Sequence, residues 1–472
     1  MNGKKIYLAI VFWICLLPFI GLIWKKTEDV TENRTLADPP QLWKDDGWNG
    51  AFLSDAGTFF EDHFAYRQEM VTANAYLLGE ILGTSAAERV IKGTDGWLYY
   101  KASLTDYLGD DVLSDRGIYC IAHTLKMMQD YVENSGRTFL FTVAPNKNTL
   151  YGEHMPYYDQ VKVSGEHNEK RLKEMLLKEG VHYADLFELF QKQEETLYHK
   201  RDSHWNNRGA AMAAEQLLDR VGQPHKAYRD TPYEVREDFE GDLDKMLYPL
   251  AVTPEEEIYY EDLFTYEYME EIESNFDPLI HTTCENGHGG LLIYRDSFGN
   301  ALLPFLAEAF GTACFSRGVP YYLDDMFICK ADTVIVERAE RFLPDMAQNP
   351  PVAPSPEIKI DLSQAKEAGE NNTACNVSAN GMYLKLSGVV DEALLQADSK
   401  IYLRLEGEQV YEAYPMILSE DGVSDEGGFA VYIEKESLED TSGRVELFVE
   451  SDNGMVKAYQ SVLDFGIEMT EG

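Results

Sequence analysis

Residues 291–303 read LLIYRDSFGNALL, an apolar run that passes through a polar turn into a helix-forming segment. Such an uninterrupted apolar run is typical of a strand buried on both faces of a parallel sheet. Residues that follow these strands lie at the carboxyl edge of the sheet, where open α/β folds place their sites. We therefore expect Ser297 to be exposed there, with its backbone N–H at a helix N-terminus and suited to stabilising an oxyanion. The alternative is that Asp296 or Ser297 only caps the helix.

The sequence on either side of this stretch alternates between helix and strand patterns. Helices are predicted from Ser114 to about Glu133, from about His167 to Glu179 and over 206–222. Strands are predicted over 137–148, 181–190 and 332–343, and a short hairpin or loop over 93–100. This succession predicts an α/β fold with a mainly parallel sheet over residues 88–348.

One stretch inside this domain departs from the pattern. Residues 226–285 are acidic and rich in tyrosine, with YEDLFTYEYMEEIESNF at their centre. We interpret them as an insertion, which is either a lid or a solvated excursion, since charge runs commonly form solvated surfaces.

The C-terminal part of the chain has a different periodicity. The proline-rich segment 349–358 is predicted to be a linker that ends the α/β pattern. Beyond it, MYLKLSGVV, KIYLRLEG, GFAVYIEK and RVELFVES alternate between apolar and polar residues. Residues 359–472 are therefore predicted to form an antiparallel β-sandwich. A glycan-binding module and a simple spacer are both compatible with this pattern.

The N-terminus carries the longest apolar run of the sequence. Residues 6–24 contain no charge and are flanked by two lysines on each side. Their length approaches the ~20 residues of a membrane-spanning helix, so residues 1–26 are predicted to be an uncleaved anchor. Residues 27–87 are predicted to be an extended linker followed by an amphipathic helix over 57–82. The acidic residues after the run favour an orientation with the body of the protein outside the cytoplasm.

Composition limits the classes of function. The 472 residues include 82 acidic and 41 basic ones, a formal net charge of −41, which argues against binding to nucleic acid. A hydrophobic content of 44% argues against a disordered chain. The six cysteines lack the short paired spacing of a zinc or redox motif, so neither a metal site nor a cofactor is predicted, and buried free thiols are expected.

A second polar segment, RDSHWNNRGA at 201–210, precedes a predicted helix. Asp202 and His204 are two residues apart, so on an extended backbone their side chains point to the same side. A base held by an acid, together with Ser297, makes up a nucleophilic triad. The alternative is that Asp202, Ser203 or Asn206 caps the helix and that His204 is a packed surface residue.

The two segments together resemble the DHHW family and the related alginate O-acetylation proteins. DSHWNNRGA matches the D-x-H-W signature at Asp202, His204 and Trp205, and RDSFGN matches the serine turn. The supporting matches are ENRTLADPP, FFEDHFAYR, GTDGWLYY, APNKNTLY and VIVERAER, so that the resemblance covers about residues 1–348. It departs from simple SGNH hydrolases in having Arg295 before the Asp-Ser pair and in placing the acid and base ahead of the serine.

This resemblance implies an SGNH-hydrolase-like domain in which Ser297 is the nucleophile, His204 the general base and Asp202 its orienting acid. Asn146, Lys147 and Asn148, on a loop at a strand end, are candidates for completing the oxyanion site. Three arginines are further candidates for binding substrate, although surface ion pairs are the simpler role for the last two: Arg295, Arg338 and Arg341.

The expected function is that of a membrane-anchored, extracytoplasmic O-acetyltransferase, which acts on a cell-surface polysaccharide through an acyl-enzyme. A multispanning membrane O-acyltransferase is the partner that the resemblance implies as a source of acetyl groups. A carbohydrate acetyl esterase is the alternative enzyme, because hydrolysis uses the same acyl-enzyme. A glycan-binding or assembly protein without catalysis is the alternative from another class.

Overall fold

The computed structural model describes residues 3–21, 36–44, 47–81, 85–260, 263–405, 409–420, 423–438, 441–451 and 454–466. The helices are α1 Gly3–Gly21, α2 Phe52–His63, α3 Arg67–Tyr76, α4 Leu104–Leu108, α5 Asp115–Asn134, α6 Lys147–Leu150, α7 Pro156–Asp159, α8 Asn168–Glu179, α9 Leu186–Gln191, α10 Asn207–Val221, α11 Asp242–Leu247, α12 Gly299–Ala309, α13 Asp325–Ile328 and α14 Leu343–Gln348.

The strands divide between the α/β part and the C-terminal part. The first group is β1 Trp43–Lys44, β2 Gly47–Trp48, β3 Val90–Lys92, β4 Leu98–Tyr100, β5 Thr138–Ala144, β6 Tyr183–Ala184, β7 Glu234–Phe239, β8 Glu255–Tyr259, β9 Glu267–Tyr268, β10 Leu279–Thr283, β11 Gly290–Tyr294, β12 Thr312–Ser316 and β13 Thr333–Ala339. The second group is β14 Glu357–Ile358, β15 Lys366–Glu367, β16 Ala374–Asn380, β17 Tyr383–Val389, β18 Ile401–Leu405, β19 Val410–Glu412, β20 Tyr414–Glu420, β21 Val423–Glu434, β22 Ser442–Ser451 and β23 Gly454–Asp464.

The central sheet has the order β6-β5-β13-β11-β12-β10-β9, and its first five strands are parallel. Only the edge formed by β10 and β9 includes antiparallel pairing. The mainly parallel sheet predicted from the apolar strands is therefore present. Both of its faces are buried, because alternate residues of β11 and β13 belong to two separate apolar cores.

The predicted N-terminal transmembrane helix is wrong. Helix α1 contains Lys4 and Lys5 in its first turn. Across the described ranges, the structure has no helix that combines the length and the apolarity needed to cross a membrane. Residues 22–24 of the predicted span lie outside these ranges.

Two smaller expectations also change. The amphipathic helix predicted over 57–82 is two helices, α2 and α3, because Phe64 is extended and Tyr66 has a left-handed φ of 63°. The strand predicted over 181–190 shortens to β6, because Asp185 accepts a hydrogen bond from the N–H of Glu188 and starts α9. The segment at 93–100 forms a hairpin, in which β3 pairs with β4.

The C-terminal part consists of two sheets that pack face to face around a common apolar core. One has the order β14-β19-β18-β22-β23-β15 and the other β16-β17-β21-β20. The four-stranded sheet is buried on its second face as well. Tyr414, Ala430 and Tyr432 on that face belong to the apolar core that contains α5 and α14. The C-terminal sheets are therefore packed onto the α/β part.

Candidate active site

Ser297, His204 and Asp202 come together at the carboxyl edge of the central sheet. His204 Nε2 lies 2.8 Å from Ser297 Oγ, and His204 Nδ1 lies 2.8 Å from Asp202 Oδ1. These distances form a continuous hydrogen-bonded chain from the hydroxyl to the carboxylate, the arrangement that activates a serine nucleophile.

Ser297 reaches this position because of the turn after β11. Asp296 accepts hydrogen bonds from the N–H groups of Phe298 and Ala339, at 2.9 and 2.7 Å. It therefore ties the turn to the end of β13 and leaves Ser297 at the start of α12. The side chain of Phe298 is fully buried and makes an edge contact with the His204 ring at 4.9 Å between centroids.

The loop that carries the acid and the base, residues 199–205, is bent rather than extended. The carboxylate of Asp202 accepts the backbone N–H of His204 at 2.8 Å as well as the ring N–H. The two side chains therefore meet through a local turn and not through strand alternation. Asn206 caps α10 by accepting the N–H of Gly209, so the capping role predicted as an alternative exists beside the triad.

A second carboxylate, Asp242 at the start of α11, borders the same loop. It accepts the hydroxyl of Ser203 at 2.6 Å and the N–H of Ser203 at 2.8 Å, while its own N–H donates to Asp202 Oδ2 at 2.8 Å. Its Oδ2 lies 3.9 Å from His204 Nδ1. A negative charge this close to His204 stabilises the protonated form of its imidazole.

Burial and these charges shift the pKa values of the site. Burial by itself would lower the pKa of His204, but the hydrogen bond and charge of Asp202, with the charge of Asp242, raise it above its ordinary value. Burial would raise the pKa of Asp202, and the bonds and charge of His204 instead hold it well below its usual range. Burial and the charge of Asp202 raise the pKa of Asp242 to about 6.

The triad opens into a cleft of about 510 Å³, which we call the triad cleft. This volume is within the range of small-molecule sites. The lining residues are Asp202, His204, Trp205, Asn207, Phe239, Glu240, Asp242, Lys245, Glu257, Asn275, Phe276, Ser297, Asn300 and Ala301. Half of them come from the acidic segment 226–285, which therefore forms a wall of the cleft.

Carboxylates of the acidic segment also hold the loop 199–205. Glu255 accepts the N–H groups of Lys200 and Arg201 at 2.9 and 2.8 Å. Glu257 accepts from His199 Nε2 at 2.8 Å. The acidic character of this stretch thus serves contacts within the site, which composition alone could not show.

The three oxyanion candidates lie beneath the site and do not line the triad cleft. Buried Lys147 donates from Nζ to the carbonyl oxygens of His199, Lys200 and Asp202, and burial lowers its pKa to about 8. Asn148 donates to Ser103 O, and the N–H of Asn146 donates to Glu340. Lys147 thus supports the loop 199–205 through three of its carbonyl groups, whereas Asn146 and Asn148 bond to other segments.

The three arginines predicted to bind substrate each make different contacts. Arg295 is buried, which lowers its pKa to about 10, and it donates to Asn300 Oδ1 and to Asn275 O. Arg341 stacks on Phe298 with its guanidinium 5.4 Å from the ring centroid. Arg338 lies over Phe342 and within 3.8 Å of Asp345. None of the three lines the triad cleft.

Two residues of the site were missed from sequence. Asp242 lies 40 residues from Asp202 in a stretch without a motif. Asn300 follows Ser297 on α12, and its Oδ1 is held by Arg295, so that its Nδ2 is a donor at the cleft wall. The spacing of Asn300, three residues after the serine on a predicted helix, was a signal that could have found it.

Asp202, His204 and Asp242 also present oxygen and nitrogen atoms within 4.8 Å of one another, as metal ligands do. Both ring nitrogens of His204 are already engaged, by Ser297 and by Asp202. A serine-activating role accounts for all of these contacts.

The segment that carries Asp202 and His204 is similar to a known SGNH hydrolase-like domain. Residues 90–275 match the family model of the SGNH hydrolase-like domain of acetyltransferase AlgX. The Probable alginate O-acetylase AlgJ of Pseudomonas syringae pv. tomato is 28% identical over 182 residues, which are 37% of this chain and 44% of that relative. The resemblance to AlgX/AlgJ-like proteins is thereby confirmed, and the match spans less than half the length of the relative.

Solved structures give matches of lower similarity. A DHHW family protein from Eubacterium siraeum is 18% identical, with a TM-score of 0.41, and the match covers 54% of this chain and 91% of that one. PatB1 of Bacillus cereus is 16% identical, with a TM-score of 0.42, and the match covers 54% and 96% of the two chains.

Proposed function

We propose that this protein is an O-acetyltransferase that transfers acetyl groups to hydroxyl groups of a polysaccharide through an acetyl ester of Ser297. The observation that carries the proposal is the hydrogen-bonded chain from Asp202 through His204 to Ser297, open to a cleft. The relative AlgJ, named as an alginate O-acetylase, supports acetyl transfer as the chemistry.

The reaction has two halves. In the first, His204 Nε2 takes the hydroxyl proton as Ser297 Oγ attacks the acetyl carbonyl, and the proton then passes to the leaving alcohol. In the second, His204 takes the proton of a sugar hydroxyl as its oxygen attacks the acetyl-Ser297 ester, and returns this proton to Ser297 Oγ as the bond to the acetyl group breaks. Asp202 holds the ring with Nδ1–H toward itself and stabilises the imidazolium in both halves.

The cleft wall suits a sugar acceptor. Phe239 and Phe276 present aromatic surface, and Asn207, Asn275 and Lys245 present polar groups around it. Sites that orient a ligand typically combine apolar walls with convergent polar groups. The identity of the polymer, the membrane acyltransferase as partner and the placement outside the cytoplasm stay predictions.

The test compares the two serines of the site. Ser297→Ala is expected to reduce cleavage of 4-nitrophenyl acetate by the purified protein to background, whereas Ser203→Ala retains most of it. Rapid quenching with mass spectrometry is expected to find the acetyl group on the peptide that contains Ser297. Full activity of Ser297→Ala would contradict the proposal.

An experiment with an added sugar acceptor distinguishes acetyl transfer from hydrolysis. With acetyl donor held constant, addition of oligosaccharides is expected to yield acetylated sugar at the expense of free acetate. Acetate as the sole product across neutral, amino and uronic oligosaccharides would identify the protein as an esterase.

A further inference from the structure

Two cysteines and a histidine meet on the face of the central sheet that does not carry the triad. His281 lies on β10 and Cys314 on β12, and the two are direct partners in the antiparallel register. Cys329 follows α13 and joins them. Their ligating nitrogen and sulfur atoms all lie within 4.8 Å of one another.

The fold brings these three residues together from positions far apart in sequence. Direct cross-strand partners have Cβ atoms ~5 Å apart on one face of the sheet, which accounts for the pair His281 and Cys314. Cys329 is held at the end of α13 by the hydrogen bond from its N–H to Asp325 O, at 2.8 Å. Because no two of these residues are close in sequence, their spacing has none of the pattern of a metal motif.

A carboxylate orients the histidine. Glu270 Oε1 lies 2.7 Å from His281 Nδ1 and 3.2 Å from the backbone nitrogen of the same residue. With Nδ1–H donated to Glu270, Nε2 is the nitrogen available to a metal ion. Metal-binding histidines commonly donate their other N–H to a carboxylate in this way.

The ligands are buried to different degrees. Cys314 is 5% exposed and Cys329 is intermediate, and both are free thiols, while the side chain of His281 is 30% exposed. The thiols are thus shielded from bulk solvent, and the imidazole side leaves a route for an ion. Two thiolates and one imidazole are ligands that Zn²⁺ prefers.

We propose that Cys314, Cys329 and His281 bind one Zn²⁺ ion, with a water molecule as the fourth ligand. On binding, each thiol releases one proton to solvent and its sulfur forms a bond to the ion, so uptake of one ion releases two protons. The ion joins β10, β12 and α13.

The position of this site separates it from the proposed acetyl transfer. Cys314 belongs to the apolar core on one face of the sheet, whereas Phe298 and Trp205 beside the triad belong to the core on the other. The ion is therefore separate from the acetyl-transfer site. It fixes β10, and Asn275 and Phe276 of the triad cleft lie directly before that strand.

Cobalt(II) is the spectroscopic probe for this site. The full-length protein is stripped with a chelator under reducing conditions and titrated with Co²⁺. One equivalent per chain is expected to produce thiolate-to-cobalt charge-transfer absorption and the intense visible bands of a tetrahedral site. Cys314→Ser and Cys329→Ser are expected to lose this absorption, and Cys375→Ser, which replaces a buried free thiol elsewhere, is expected to keep it.

Two further measurements do not depend on removing a thiol. Zn²⁺ is expected to slow the alkylation of Cys329 in the unmodified protein, followed by peptide mass spectrometry. Glu270→Gln is expected to weaken Zn²⁺ binding ~10–100-fold by loosening the hold on His281. Asp202, His204 and Asp242 are the other group whose atoms lie close enough to bind a metal ion. His204→Ala, which removes one of them, is expected to leave the thiolate absorption unchanged.

The outcomes are decisive in both directions. One Co²⁺ per chain with thiolate absorption that is lost in both cysteine variants supports the site. Absence of thiolate absorption in the reduced protein, or a Cys314–Cys329 disulfide whose reduction gives no Zn²⁺ uptake, overturns it. Neither outcome bears on Ser297, whose activity is measured separately.

Discussion

At the scale of single residues, the orientation of the Asn300 side chain bears directly on the chemistry. Arg295 donates to its Oδ1, which directs the amide Nδ2 away from the arginine, and Asn300 lines the triad cleft beside Ser297. We expect Asn300 Nδ2 and the N–H of Ser297 to stabilise the oxyanion together.

Asn300→Ala is therefore predicted to lower kcat by ~10²–10³, the usual cost of losing one oxyanion donor. Asn300→Asp keeps the size of the side chain but removes the donor, so a comparable loss is expected from it. The measurement is steady-state hydrolysis of an acetyl ester, with circular dichroism to confirm folding. A change in KM with unaltered kcat would contradict this role.

Asp242 is predicted to set the pH range of the reaction. His204 must be neutral to act as a base, so activity rises with pH through its raised pKa. In Asp242→Asn a negative charge 3.9 Å from His204 Nδ1 is lost, the imidazolium is less stabilised, and the pKa falls. The acid limb of kcat/KM is expected to move to lower pH by about one unit, since a charge at ~4 Å contributes ~1 kcal/mol.

The control for this shift is Glu240→Gln. Glu240 also lines the triad cleft, but its carboxylate lies 3.3 Å from Lys245 Nζ. Its replacement is expected to leave the acid limb where it is. An unchanged limb in Asp242→Asn would show that the charge of Asp242 does not reach the base. Because Asp242 interacts with His204 and has a pKa of about 6, the acid limb of kcat/KM in the unmodified protein reflects proton binding by both residues.

At the scale of elements, the site depends on how closely α11 packs against the loop 199–205. A Cβ atom on Gly241, just before this helix, would overlap Arg201 O and lie 2.9 Å from Asp202 N. Gly241→Ala therefore forces the helix and the loop apart, and the 2.8 Å hydrogen bond from Asp242 N–H to Asp202 lengthens.

This substitution is predicted to lower kcat/KM about 10²-fold, the cost of a displacement of about 1 Å at a catalytic group. Gly57→Ala is the matched control, because Gly57 is exposed on α2 and a Cβ there meets nothing within 4 Å. Activities of both variants are compared with their melting temperatures. Equal activity of Gly241→Ala and Gly57→Ala would contradict the tight packing.

Sequence patterns predicted the elements that are determined by residues adjacent to one another in the chain. The strand, turn and helix around Ser297 follow from an apolar run that ends in polar residues, and the pair Asp202 and His204 is contiguous in one motif. Asp242 could not be found in this way, because its contacts join segments 40 residues apart. Lys147 follows β5, as the sequence predicts, but its three carbonyl partners belong to another segment and cannot be predicted from its own.

At the scale of the whole molecule, the proline-rich segment does not separate independent parts. Val352 and Ala353 are buried, and the N–H of Ser355 donates to Tyr432 O at 2.8 Å. The C-terminal sheets share an apolar core with α5 and α14. We infer that the two parts unfold together, because their separation would expose apolar surface on both.

One buried ion triad crosses this interface. His123 on α5 is 2.9 Å from Glu179 Oε2 through Nδ1, and 2.9 Å from Glu412 Oε1 through Nε2. Glu412 belongs to β19 of the C-terminal part. Burial would lower the pKa of His123, but the two carboxylates raise it above its ordinary value. The protonated imidazole therefore links the two parts of the molecule.

The free energy of unfolding is predicted to depend on pH through this histidine. A folded-state pKa above the unfolded value of ~6.5 gives a contribution that is complete below pH ~6.5 and is lost as pH rises through the folded-state pKa. His123→Gln is expected to cost ~2 kcal/mol at pH 6, on the scale of hydrogen bonds to charged groups, and less at pH 9.

His182→Gln, which removes a 59% exposed imidazole 3.0 Å from Glu133, is the control and is expected to cost less than ~1 kcal/mol at either pH. The measurement is urea unfolding of both variants and the unmodified protein, and a cost of His123→Gln that stays constant between the two pH values would show that the imidazole is not charged in the interface.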